Sequence, residues 1–133
     1  MNNKSKKILS EISAGELFDK ISILEIKLKK IKDEESQKEI IKEYNVLKKT
    51  QNLNVEVTEK LNYLFIEIKK INLNLWNIEN KIRACEKNKD FGKTFVDLAR
   101  EVYLNNDERS KIKSKINKIL GSNIKEIKQY IDY

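Results

Sequence analysis

The sequence predicts an all-α fold, a helical bundle of about five helices with one long central helix. Three observations carry that prediction. The chain has no proline and only three glycines among 133 residues, so helices can run long without breakers. Apolar residues recur at alternating steps of four and three along most of it, the spacing of one buried helical face. Charged residues make up 37% of the chain, a share that suits the solvated faces of long helices better than a turn-rich β architecture. At this size folding buries roughly 65–70% of the surface an unfolded chain exposes, enough for one core. A single helical domain over residues 1–133 is expected, with residues 1–10 as a disordered N-terminal tail.

The first helix starts at "SAGE", residues 13–16, a capping box in which Ser13 caps and Glu16 reaches back. Its inward stripe is Leu17, Ile21, Leu24, Leu28 and Ile31. A break follows near "KDEES", where Asp33 or Ser36 caps a second helix that turns Ile40, Tyr44 and Leu47 inward and ends near Thr50–Asn54. The third helix is the clearest. Val57, Leu61, Leu64, Ile68, Ile71, Leu75, Ile78, Ile82 and Cys85 alternate four and three without a slip, which predicts lengthwise packing against another helix. Asp90 is expected to cap a fourth helix with Phe91, Phe95, Leu98 and Val102 inward. The polar run "LNNDERSK" is read as a break, with Asn105 or Asn106 capping a fifth helix that buries Ile112, Ile116 and Ile119 and closes at Gly121. The tail keeps Ile124, Ile127, Tyr130 and Ile131 and is expected to dock on the bundle.

Composition removes whole classes of chemistry. Without histidine there is no Ser–His–Asp or Cys–His arrangement and no histidine-bearing zinc site. Gly15, Gly92 and Gly121 stand apart, so no glycine-rich phosphate loop exists. The one cysteine, Cys85, excludes an internal disulfide framework, and its place on the seam makes it a small buried hydrophobe. The opening "MNNKSKKILSEIS" lacks the apolar core of a signal peptide and no membrane span follows, so a cytoplasmic location is expected. The net charge of +7 invites a nucleic-acid or acidic-membrane partner. Against it, the lysines are interleaved with acids over most of the chain. The basic face Lys111, Lys115, Lys118 carries no aromatic to stack on bases, so nucleic acid is not an expected partner.

Three places stand out as candidate sites. Asn72, Trp76, Glu79, Arg83 and Glu86 step four, three, four and three, so they share one face of the third helix beside its seam. Trp76 and Arg83 sit one residue past Leu75 and Ile82, which predicts a semi-buried guanidinium oriented by Glu79 and screened by the indole. A structural role is the favoured reading there, either an ordinary solvated i, i+4 pair of Glu79 and Arg83 or a buried pair; a site for an anion is the sharper one. Glu25 is wedged between Ile21 and Leu28 and needs a partner. Glu25 and Arg109 are the expected cross-helix neighbours of the Trp76 patch. The third place is "REVYLNNDERSK", where a helix starting after Asn106, flanked by Arg100 and Arg109, would offer free amides to an anion. Ordinary capping by Asn106, with Asp107 on the helix dipole, is the favoured reading there. Glu16-x-x-Asp19 resembles the metal-binding pair of all-α nucleotide pyrophosphatases, but the second pair, Glu56-x-x-Glu59, falls in the reverse order, and neither a metal nor a cofactor is expected.

The segments "EISAGELFDKISILEIKL", "LNLWNIENKIRACE" and "FVDLAREVYLNNDERSKIKSKIN" resemble the signature segments of a family of small bacterial and phage proteins of unknown function. The resemblance implies a setting among surface-polysaccharide and glycosyltransferase genes and brings no activity, ligand or catalytic residue.

The leading expectation is a non-catalytic binding or assembly protein, accessory to cell-surface glycan synthesis. Phe18, Ile23, Ile26, Val55, Phe65 and Trp76 lie outside the inward stripes and suggest a homo-oligomer or a protein partner. The alternative is a small all-α enzyme or ligand-binding protein acting on an anionic metabolite, a nucleotide or sugar, through Glu79, Arg83 and Arg109. A concave pocket holding Trp76, Arg83 and Arg109 would favour this second reading; a flat apolar face would favour the first.

Overall fold

The computed structural model describes residues 6–133; the part of the expected tail before residue 6 lies outside the described residues. Among the described residues there are four α-helices and no strand: α1 Ala14–Lys30, α2 Glu34–Asn54, α3 Glu59–Lys87 and α4 Lys93–Leu120. Residues 6–13 and 122–133 carry no regular secondary structure.

The helix starts follow local chemistry. The Ser13 hydroxyl accepts the Glu16 amide, Asp33 accepts the Ser36 amide, and Thr58 accepts the Leu61 amide. Asp90 does not cap α4. Its carboxylate accepts the Gly92 amide in the preceding turn, and α4 begins after Gly92 without a side-chain cap. Phe91 therefore precedes the helix and is exposed, its ring edge-on to Phe95. At the far end Gly121 adopts φ 58°, a left-handed conformation that glycine takes without strain, and closes α4.

The seam of α3 packs on α4 in an antiparallel pair. Near the start of α3, Leu61, Leu64 and Ile68 meet Ile112 and Ile116 of α4; near its end, Ile78 and Cys85 meet Leu98. Helices α1 and α2 form a second antiparallel pair, marked by Tyr44 against Glu25 and by Gln37 against the carbonyls of Leu28 and Ile31. Helix α1 lies over the half of the α3–α4 pair that holds the first cluster, and Phe18 enters that cluster fully buried. Helix α2 packs on α1 alone among the helices.

The expected fifth helix is the second half of α4. No glycine or proline lies within residues 93–120, and Leu98, Val102, Asn105, Arg109, Ile112 and Ile116 keep the four-three register throughout. Two of the polar residues that looked like a break occupy seam positions: Arg109 reaches across to α1, and Asn105 donates to the Glu101 carbonyl one turn back in its own helix. With 29 residues in α3 and 28 in α4, two long helices stand where one central helix was expected.

Two further expectations change. Phe18 and Ile26 are buried and Val55 and Phe65 pack against the first cluster, so the chain itself covers most of the surplus apolar side chains. The reason is that α1 is enclosed by three helices rather than one. The C-terminal tail meets α4 through Glu126 and Tyr133, while Ile127, Tyr130 and Ile131 stay exposed.

Candidate functional site

The site begins with a close approach. A Cβ on Gly15 would lie 2.5 Å from the Lys113 carbonyl oxygen, so only glycine lets the first turn of α1 touch the α4 backbone. The Gly15 amide donates to Asn117 Oδ1 at 2.6 Å, and the Ala14 amide donates to Ser122 Oγ at 3.1 Å. Two amides of the α1 N-terminus thus find their acceptors across the bundle.

One turn further along, Asp19 is fully buried. Arg109 grips it from α4 with both arms of its fork, Nε to Oδ1 at 2.9 Å and Nη2 to Oδ2 at 2.5 Å. From α3, Asn72 Nδ2 donates to Asp19 Oδ1 and to Ser22 Oγ, each at 2.8 Å. Three helices therefore meet on one carboxylate. Its hydrogen bond holds the Arg109 guanidinium above its ordinary pKa despite the opposing effect of burial. Arg109 Nη1 also donates to Asn106 Oδ1 at 3.3 Å. Three of the five guanidinium N–H groups are then engaged, and two have no partner among the described residues.

Beside this centre Lys113 bonds Glu16 at 2.7 Å and Glu126 of the tail at 3.2 Å, with Asp19 3.8 Å away. Burial pushes the Lys113 ammonium down, but the three carboxylates outweigh it and hold it above its usual value. The Glu126 carboxyl is lowered in turn, first by its hydrogen bond to Lys113. Glu16 and Asp19, the metal-like pair of the sequence, thus face Lys113 and Arg109. Among the described residues no group of carboxylates and cysteine converges to hold a metal.

A cleft of about 380 Å³ opens next to Arg109, between α1, α3 and α4. Ile23, Ile26, Leu75 and Trp76 line its apolar wall, and Glu79, Asn80, Arg83 and Arg109 bring polar groups to it. Arg83 is not semi-buried. Its side chain is 78% exposed and meets Glu79 at 3.4 Å, a surface pair one helical turn long. That exposure removes the buried-pair reading, because a solvated guanidinium strands no buried charge when removed, and it leaves the ordinary i, i+4 flank pair that the spacing predicts.

Of the six candidate residues, the fold brings Trp76, Glu79, Arg83 and Arg109 to one cleft. Glu25 does not join them. It accepts from Tyr44 at 3.0 Å and pairs with Lys69 at 2.8 Å. Asn106 is mid-helix, so its neighbourhood offers no free amides; its role is to steady Arg109. The residues that sequence reasoning missed are Asp19, seen only as half of a metal-like pair, and Lys113, which stands next to the basic face and was given no partner. The signal for Asp19 was its position directly after Phe18, an apolar residue off the main stripe, in a helix buried on several sides.

The model of the family of unknown function DUF6165 matches residues 8–132. The chain belongs to that family. The match covers all four helices, and hence the Asp19–Arg109 centre and the cleft, so these are built wholly from the DUF6165 span. No curated protein and no solved structure matches the chain.

Proposed function

We propose that this DUF6165 chain binds a small anionic metabolite, a nucleotide or sugar, in the Trp76 cleft. The observation that carries the reading is the union of an apolar aromatic wall with two guanidinium groups in one concavity of metabolite size. Trp76 offers a face for a base or sugar ring. Arg83 is free to move onto an anion, since its present pair with Glu79 is solvated. Arg109 is held rigidly by Asp19 and offers its two unengaged N–H groups in a fixed direction, so little order is lost when they bind. Glu79 keeps the cleft from being uniformly positive and sets where the anionic group can sit.

A thermal-shift screen against nucleotides, nucleotide sugars and sugar acids tests the proposal, with the fluorescence of Trp76, the only tryptophan, as a second readout. An anionic member should raise the melting temperature of the wild type and change the indole emission. Arg83→Ala should lose both responses while its unliganded melting temperature stays put. If no compound of these classes stabilises the wild type, the reading is wrong.

A further inference from the structure

On the side of α1 where Glu25 meets Lys69, a second groove of about 500 Å³ runs between α1 and α3. Its α3 side carries Ile66 and Leu73, which are 57% and 37% exposed. Lys29 and Lys30 line it from α1 and Lys70 from α3, all exposed to solvent. The one carboxylate in the groove, Glu25, is already engaged by Lys69 and Tyr44. The floor is therefore apolar, and the rim bears three lysines without a carboxylate of the groove to balance them.

We infer that this groove docks an acidic amphipathic helix of a partner protein. Ile66 and Leu73 are seven residues apart on one helix, about 10 Å or two turns. A helix laid lengthwise presents apolar anchors at the same interval, the geometry of helix-in-groove recognition. Carboxylates flanking those anchors would meet Lys29 and Lys30 on one side and Lys70 on the other, so the charge pattern selects the sign and orientation of the partner. A second copy of this chain is a poor occupant, because the chain carries net charge +7 and would bring like charge to the rim.

The groove adjoins the Trp76 cleft, with Ile26 lining both, but Lys29, Lys70 and Leu73 line only the groove, so substituting them tests it without touching the residues proposed to hold the metabolite. The probe is a fluorescent, side-chain-stapled helical peptide with leucines at i, i+3 and i+7 and glutamates on the flanks. It is compared by anisotropy with its lysine-for-glutamate counterpart and with a scrambled peptide of the same composition. The acidic amphipathic helix should bind, and less tightly as salt rises. Neither comparator should match it. Lys29→Glu combined with Lys70→Glu, and separately Leu73→Asp, should each weaken binding about ten-fold or more without lowering the melting temperature, since all three side chains are on the surface. Absence of binding, or equal binding of the scrambled acidic peptide, overturns the inference. So does finding that the same substitutions abolish only self-association in light scattering or only attachment to anionic vesicles.

Discussion

Arg109 and Asp19, ninety residues apart in the chain, are joined by two parallel hydrogen bonds in the middle of the bundle. Asp19 has no exposed surface, and Asn72 completes its coordination from the third helix. A carboxylate enclosed in this way is stable only while its cation stays. Arg109→Ala should cost about 3–5 kcal/mol in chemical denaturation, because it removes the bidentate partner of Asp19 and leaves only Asn72 and the more distant Lys113 beside its charge. Arg109→Lys should recover only part of that, since an ammonium cannot reproduce the planar fork. Equal stability of Arg109→Ala and wild type would show that the pair does not form in solution.

Gly15 sets how closely α1 approaches α4. In Gly15→Ala the new methyl group meets a backbone carbonyl, which cannot rotate away as a side chain would. Helix α1 must then shift, loosening the amide bond to Asn117 and the pairs further along. A loss of about 1–3 kcal/mol is expected, the range for overpacking a close contact. Alanine is otherwise the better helix former, so a melting temperature at or above wild type would contradict this packing.

The continuity of α4 can be tested with proline. At the first position of a helix proline is well tolerated, whereas inside one it removes a hydrogen bond and clashes with the preceding turn. Residue 106 lies mid-way through α4. Asn106→Pro should therefore cost about 3 kcal/mol or more and reduce the helical circular dichroism. A well-folded variant of undiminished helicity would restore the two-helix reading of "LNNDERSK".

Lys113 ties the tail to the helices, and its pH window follows from the two shifts. The Glu126 pKa is lowered from 4.5, so its contribution is present above that value and is lost as the pH falls through the lower, folded value. The Lys113 pKa is raised from 10.5, so its contribution holds below that value and is lost as the pH rises through the higher, folded one. Between these limits the junction is at full strength. Glu126→Gln should melt below the wild type near about pH 7, with the difference closing as the pH falls below 4.5 and through the lower, folded value, where the wild-type carboxyl becomes protonated as well. A difference that stays constant over that range would mean that Glu126 does not act through its charge.

What the sequence determined by itself was set by interactions between near neighbours in the chain. From Leu61 to Cys85 the four-three stripe of α3 located its buried face, because that pattern repeats with the helical turn; Val57, which precedes the helix, is 46% exposed. Ser13, Asp33 and Gly121 marked helix ends because capping is a contact within four residues. Trp76, Glu79 and Arg83 could be placed together for the same reason, since all three lie on two turns of one helix. The tertiary structure alone decided the partners. It buried Asp19 and gave it Arg109, sent Glu25 to Lys69 and Tyr44, and left Arg83 in solvent. It also ran α4 straight through a stretch whose polar side chains looked like a break, because Arg109 there faces a carboxylate rather than water. A charge buried on a helix has the same periodicity as a charge exposed on it. Only the position of the opposite charge, fixed by how helices ninety residues apart cross, tells the two apart.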